Sequence, residues 1–307
     1  IPAAVAKYFQ PPTNFWDVFI DKNNTAWIAT GQYGLVGYHV SKKQIIVPEK
    51  KYFHKDWEWV NGFFEDSKDG IWLQTFNGLF KIDKTTNEIT EVQELNRVLE
   101  SEGLSKSIMG IDEDENGNIW IISDYAGKGK AGIAMYAPGT KKVNIILNEH
   151  KSELFRNQTL ELRSIVCKKD KIYVTDFSNG MLSITDPLTQ PIFSVLNREQ
   201  GVMDVYMSSL IKDTLDNIWI SNGIGISSYN SSQHVFSNYP FYMFNLGNNN
   251  IPYLYLSRQS NYLYLGQDNA INYFNIYALQ VKNDAALVFT GIKLFNKEYT
   301  TGKKYLA

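Results

Sequence analysis

Few residues in this sequence have the types and spacing that covalent chemistry needs. Gly127, Gly129 and Gly132 match the G-x-G-x-x-G spacing that lets a backbone approach a pyrophosphate at a helix N-terminus. The segment that follows, Ile133-Ala134-Met135-Tyr136-Ala137-Pro138, reads as a strand, so no helix opens there and the glycines are a loop enlargement. His39, His54, His150 and His234 stand singly, without metal-ligand spacing and without a neighbouring cysteine or carboxylate pair. No G-x-S-x-G nucleophile elbow occurs. Asp21, Asp66, Asp114 and Asp213 share one sequence phase, which suits closure of a hairpin by side-chain-to-backbone hydrogen bonds better than an acid/base pair. The expectation is no catalytic residue, no metal ligand and no cofactor.

Recognition is better served. Aromatic rings stack on the CH faces of sugars while amides, carboxylates and guanidinium groups bond their hydroxyls. Trp16, Trp57 and Trp59, joined by Asn61, Arg163, Tyr206 and Tyr253, lie where the chain enters successive repeats. Gln32, Tyr33, Phe76, Asn77, Asp124, Tyr125, Asp176, Phe177, Asn222, Gln267 and Asp268 fall in a second set of loops, further along each repeat. These residues are the ligand-binding candidates. The alternative for any one of them is packing between repeats or contact with a neighbouring domain.

The elements that must hold these loops come from an internal repeat. Trp27, Trp72, Trp120, Tyr173, Trp219 and Tyr264 recur at intervals of 45, 48, 53, 46 and 45 residues. Six residues earlier stands Asp21, Asp66, Asp114 or Asp213, with Cys167 and Arg258 in the other two copies. A small residue joined to an apolar one follows each ring: Gly34-Leu35, Gly78-Leu79, Gly132-Ile133, Gly180-Met181, Gly225-Ile226 and Ala270-Ile271. Segments such as Ser67-Lys68-Asp69-Gly70 and Glu115-Asn116-Gly117-Asn118 carry hairpin residues, and β-branched runs such as Ile119-Trp120-Ile121-Ile122 flank them. Several short strands per period of this length are the mark of propeller blades. The expected fold is an all-β propeller of four-stranded blades, with six repeats detected and six or seven blades. The Asp-bearing strand is innermost, the phased ring sits on the second strand, and the Gly-apolar pair opens the third. That order puts the entry loops and the second-to-third-strand loops on one rim, and the Asp hairpins on the other. Trp27, Trp72, Trp120 and Trp219 are expected in the core, and Trp16, Trp57 and Trp59 outside it.

Composition narrows the class. With 44% hydrophobic and 14% aromatic residues over 307 positions the chain can bury a large core. A formal charge of -2, with no long basic run, argues against nucleic acid. Cys167 is the only cysteine, which excludes an internal disulfide framework. No apolar stretch reaches the roughly 20 residues of a spanning helix. Residues 1–14, with Lys7-Tyr8-Phe9, read as the outer strand of a preceding or closing blade, 15–277 as the propeller, and 278–307 as a linker and the first strand of a following β-sandwich. The sequence is expected to be an excerpt of a longer polypeptide.

Two units, Phe64-Glu65-Asp66-Ser67-Lys68-Asp69-Gly70-Ile71-Trp72-Leu73-Gln74-Thr75-Phe76-Asn77-Gly78-Leu79 and Ile111-Asp112-Glu113-Asp114-Glu115-Asn116-Gly117-Asn118-Ile119-Trp120-Ile121, closely resemble the two-component regulator propeller repeat. Leu287-Val288-Phe289-Thr290-Gly291-Ile292-Lys293-Leu294-Phe295-Asn296 is similar to the segment that leads from the last propeller of such sensors into a small β-sandwich. The copies at Tyr173 and Tyr264 depart from the motif, lacking the turn glycine, the tryptophan and the aspartate. The resemblance implies the periplasmic sensor region of a hybrid two-component histidine kinase. Its expected partners are an oligosaccharide or other small ligand, neighbouring propeller and β-sandwich domains of the same chain, and a second copy in a homodimer. The alternatives are a propeller lyase or glycosidase acting on polysaccharide, or a propeller used for protein contact.

Overall fold

In the computed structural model the described residues are 15–30, 34–46, 60–86, 88–124, 129–153, 155, 159–241, 253–257, 261–267, 270–279, 292–294 and 297–299. They form six antiparallel meanders, each a blade. The first contains β1 (Phe15–Ile20), β2 (Thr25–Thr30), β3 (Gly34–His39) and β4 (Gln44–Ile46). The second contains β5 (Val60–Glu65), β6 (Ile71–Thr75), β7 (Gly78–Ile82) and β8 (Ile89–Glu91), and the third β9 (Ile108–Glu113), β10 (Ile119–Ser123), β11 (Gly132–Ala137) and β12 (Lys142–Asn148). The fourth has β13 (Leu162–Lys168), β14 (Lys171–Asp176), β15 (Gly180–Thr185) and β16 (Ile192–Leu196). The fifth has β17 (Met207–Lys212), β18 (Asn217–Asn222), β19 (Gly225–Asn230) and β20 (Val235–Pro240), and the sixth β21 (Tyr253–Ser257), β22 (Tyr262–Gln267) and β23 (Ala270–Asn275). Innermost strands adjoin in sequence order, β1 to β5, β5 to β9, β9 to β13, β13 to β17 and β17 to β21. The chain is a six-bladed β-propeller.

The phased columns each have a physical cause. Trp27, Trp72, Trp120, Tyr173 and Trp219 are buried, and each packs among apolar residues of the following blade. The aspartate six residues upstream does two things at once. Asp66 Oδ1 accepts from the backbone N–H of Lys68 and Gly70, at 3.0 and 2.5 Å, while Oδ2 accepts from Trp72 Nε1 at 2.8 Å. Asp21, Asp114 and Asp213 repeat the arrangement, reaching Trp27, Trp120 and Trp219 Nε1 at 3.1, 2.8 and 2.9 Å. One carboxylate therefore closes the turn and satisfies the buried indole, which the sequence reading foresaw only in its first half. At the same turn position Asn24, Asp69, Gly117 and Asp216 adopt positive φ, which explains their residue types.

The small-residue column answers to close packing. A Cβ on Gly78, where φ is +139°, would lie 2.3 Å from Asn96 Nδ2, and one on Gly225 would lie 2.4 Å from the Tyr239 carbonyl oxygen. Asn96 belongs to α1 (Gln93–Ser101), a helix that no sequence periodicity announced. It joins the second blade to the third, buries Leu95 and Leu99 between them, and accepts the Leu79 N–H through Asn96 Oδ1 at 3.0 Å.

The first and last blades differ from the others. On β1, Val18 and Ile20 are exposed, although Phe63, Ile111 and Leu210, which match Val18 in later blades, pack against the preceding blade. On the last blade Tyr255, Tyr264 and Tyr273 form a cross-strand row with ring centroids 6.0 and 5.7 Å apart, and Tyr255, Ile271 and Tyr273 are exposed. Residues 1–14 lie outside the described residues. Beyond 277 a 3-10 turn, Ile276–Leu279, continues, and two short strands, Ile292–Leu294 and Lys297–Tyr299, pair as a hairpin.

Candidate ligand-binding rim

A recurring backbone bond fixes the two loop sets on one rim. The first residue after the second strand donates its N–H to the carbonyl of the residue entering the innermost strand: Asp124 to Ser107, Phe177 to Glu161 and Gly223 to Tyr206, at 3.1, 2.8 and 3.0 Å. Four of the sequence candidates come together there, drawn from three successive blades. Arg163, on β13, points one guanidinium nitrogen, Nη1, at Asp124 Oδ2 (3.4 Å) and the other, Nη2, at Glu161 Oε2 (3.6 Å). Its Cζ lies 5.5 Å from the centre of the Phe177 ring. Phe177 in turn meets Tyr206 with ring centroids 5.8 Å apart and planes inclined by 59°. Tyr206 is 50% exposed, while the Asp124 carboxylate is 2% exposed. The result is a partly open aromatic surface backed by a guanidinium between two carboxylates.

Local structure holds that surface in place. Asp176 Oδ1 accepts from the N–H of Ser178 and Asn179 and from Asn179 Nδ2, at 3.0, 3.2 and 3.0 Å, so the turn carrying Phe177 is fixed from its start. Asp204, two residues before Tyr206, is buried and accepts from Arg198 Nη2 at 3.2 Å. A Cβ on Gly223 would sit 2.5 Å from Asp204 Oδ2, so only glycine admits that carboxylate beside the Tyr206 entry.

Several other candidates have structural work instead. Asn222 is fully buried, donating to Ser227 Oγ at 3.1 Å and accepting from Ile224 N–H at 3.2 Å. Asn61 donates to the Ile108 carbonyl oxygen at 3.2 Å, tying the second blade to the third. Phe76 and Asn77 form the β6–β7 turn, where Thr75 Oγ1 accepts the Asn77 N–H at 3.1 Å. Trp16, Tyr253 and Gln267 are placed only by their strands, β1, β21 and β22. Trp57, Trp59, Tyr125, Asp268, Gln32 and Tyr33 lie outside the described residues. Sequence reasoning missed Glu161, Arg198 and Asp204; the clue available was their position in entry segments beside Arg163 and Tyr206.

The opposite rim is built differently, although a concavity of about 660 Å³ lies there. Four of its charged side chains, Glu113, Lys168, Lys212 and Asp216, bond neighbouring blades. Lys168 meets Asp216 at 2.6 Å and Ser231 Oγ at 2.7 Å, Ser67 bonds Glu113 at 2.6 and 2.8 Å, and Lys212 Nζ reaches Asp112 Oδ2 at 3.2 Å. Burial pushes the Asp112 carboxyl above its ordinary value, opposed by Lys212 and by the Cys167 N–H, and burial pushes the Cys167 thiol well up. Its ring, Tyr173, is 1% exposed, and burial raises that phenol to about 12. We take this basin for an inter-blade lock, because Glu113, Lys168, Lys212 and Asp216 on its wall are bonded from one blade to another. Among the described residues no three of His, Cys, Asp and Glu converge as a metal would require.

The six sheets define a β-propeller, and this rim carries a partly open aromatic surface. No protein-family model matches the chain, and no curated protein does. Among solved structures, it superposes on the extracellular domain of BT4673 from B. thetaiotaomicron, described as a one component system, with a TM-score of 0.68 and 15% identity over 96% of this chain and 39% of that one. The extracellular domain of BT3049 from the same organism, described as a hybrid two component system, gives 0.65 and 22% over 94% of this chain and 38% of that one. A gluconolactonase from Xanthomonas campestris gives 0.55 and 10% over 80% and 79%. At these identities the likeness carries the fold. The chain spans about two fifths of the length of the two sensor ectodomains. Those two are extracellular domains of one- and two-component systems, and the gluconolactonase superposes with a lower TM-score. Among the described residues no helix is long and apolar enough to cross a membrane.

Proposed function

We propose that this chain is the extracytoplasmic ligand-sensing propeller of a hybrid two-component histidine kinase, recognising an oligosaccharide on the rim formed by Asp124, Arg163, Phe177 and Tyr206 and signalling to a cytoplasmic kinase in the longer protein. The observation that carries this reading is the unbroken run of contacts from Asp124 through Arg163 and Phe177 to Tyr206 across three blades. Such a surface, rigidly placed on strand ends and half open, suits stacking on a sugar ring with hydroxyl bonding at its edge. The company of sensor ectodomains among the structural neighbours supports both the role and the compartment. Ligand binding then works by biasing the arrangement of the domains and copies attached to the propeller.

Calorimetric titration of the chain with defined oligosaccharides tests the proposal. Saturable binding that falls at least about tenfold in Tyr206→Ala, with an unchanged melting profile, is expected. Turnover of the sugar would replace it with the lyase or glycosidase reading, and a flat trace across the panel would remove the glycan from it.

A further inference from the structure

One carboxylate oxygen on this rim has no partner within the protein. Asp176, 3% exposed, uses Oδ1 to close the turn that carries Phe177, accepting from Ser178 and Asn179, whereas its Oδ2 is buried and unbonded. A buried acceptor without a donor is costly, the more so on a carboxylate, so the site calls for a donor from outside the chain. Asp176 stands on the wall of a pocket lined otherwise by Asn179, Gly180 and the apolar Phe155, Leu160, Leu182 and Val195. The cavity volume is about 10 Å³, close to the roughly 10–15 Å³ that one water needs. Phe155, Leu160 and Leu182 are buried and Val195 is exposed, so the pocket opens on the Val195 side. A single hydroxyl supplies what the pocket lacks, one donor on an oxygen of the right size. In a hexose the hydroxymethyl oxygen is held one carbon clear of the ring, and its methylene suits the apolar walls. On the oligosaccharide reading above, we infer that the pocket is a one-hydroxyl subsite of the rim, holding a water in the free chain and the hydroxymethyl oxygen of a hexose unit in the complex.

The test titrates the whole chain calorimetrically with hexasaccharides of glucose, mannose and galactose and with their pentose counterparts, which keep the ring configuration and lack the hydroxymethyl arm. The expected result is a hexose oligomer that binds, weakens in Tyr206→Ala, and exceeds its pentose counterpart by about tenfold or more, the worth of one hydrogen bond to a charged acceptor. Asp176→Asn keeps an oxygen for the turn but presents an amide donor to the pocket, and Val195→Phe narrows its mouth. Each is expected to lower the hexose-to-pentose affinity ratio several-fold. A crystal structure of the free chain reads the pocket without any sugar, and an ordered water within about 3 Å of Asp176 Oδ2 is expected. Equal binding of hexose and pentose, or an unchanged ratio in both variants, would overturn the subsite while leaving the rim a sugar site; so would a dry pocket in the free chain. Binding of neither class would overturn the sugar reading and the hydroxymethyl subsite together.

Discussion

Replacing Asp66 tests the claim that one carboxylate serves both turn and ring. Its side chain is 7% exposed and accepts from the Lys68 and Gly70 N–H groups and from Trp72 Nε1, with Lys81 Nζ 3.4 Å away. Each hydrogen bond to a charged acceptor is worth about 1.5–3 kcal/mol, and a buried donor left without a partner costs about 1–3 kcal/mol. These terms overlap, so Asp66→Ala is expected to destabilise by about 3–4 kcal/mol in urea unfolding followed by circular dichroism. Trp72→Phe removes the indole N–H and part of the packing. A double-mutant cycle between the two isolates the shared bond, with an expected coupling of about 1–2 kcal/mol. A coupling below about 0.3 kcal/mol, within the additivity of independent sites, would refute the dual role and reduce Asp66 to a turn residue.

Four further outcomes follow from the same contacts. Trp120→Ala truncates a buried ring and should cost about 3–5 kcal/mol, whereas Tyr206→Ala should change stability by less than about 0.5 kcal/mol, both by urea unfolding. The Asp66 carboxyl is pushed up by burial, but the bonds from Trp72 and Gly70 and the charge of Lys81 outweigh this and hold it below its ordinary value. Its stabilisation is therefore complete above the unfolded pKa near ~3.9 and lost as pH falls through the folded one. The stability gap between wild type and Asp66→Asn should accordingly shrink on acidification from neutral pH, and a constant gap would contradict the sign. Gly225→Ala should destabilise by roughly 2 kcal/mol or more because its Cβ meets the Tyr239 carbonyl oxygen, while Gly139→Ala, with nothing within 4 Å, should be nearly neutral in thermal melts. Asp112→Asn should cost about 1–3 kcal/mol in urea unfolding, since it leaves Lys212 Nζ, 3.2 Å away, without its carboxylate, although the amide oxygen can still accept the Cys167 N–H, now 2.7 Å away.

The blades were legible in sequence because each column has a local cause repeated in most copies. The aspartate sits six residues before the ring, and the small residue opens the next strand, since turn closure, indole pairing and strand approach act within one hairpin or onto the next blade. Helix α1 was not legible, because it occurs in one connection and its Leu95 and Leu99 answer to packing between two blades. The rim was half legible. Arg163, Phe177 and Tyr206 stood out by residue type and loop position, but Asn222 and Asp176 have the same types and turned out to close turns. Whether an amide faces ligand or its own backbone depends on side-chain direction, which loop position leaves open. Glu161 and Asp204 escaped notice because their importance lies in the cation each holds, a contact set by three-dimensional placement.

Amide chemical-shift mapping during titration with a neutral oligosaccharide that binds addresses the recognition rim most directly. The account predicts perturbations concentrated at 161–164, 176–178 and 204–207, with Asp124 among them. Perturbations gathered instead around Lys168, Lys171 and Lys212, in the basin on the opposite rim, would contradict it.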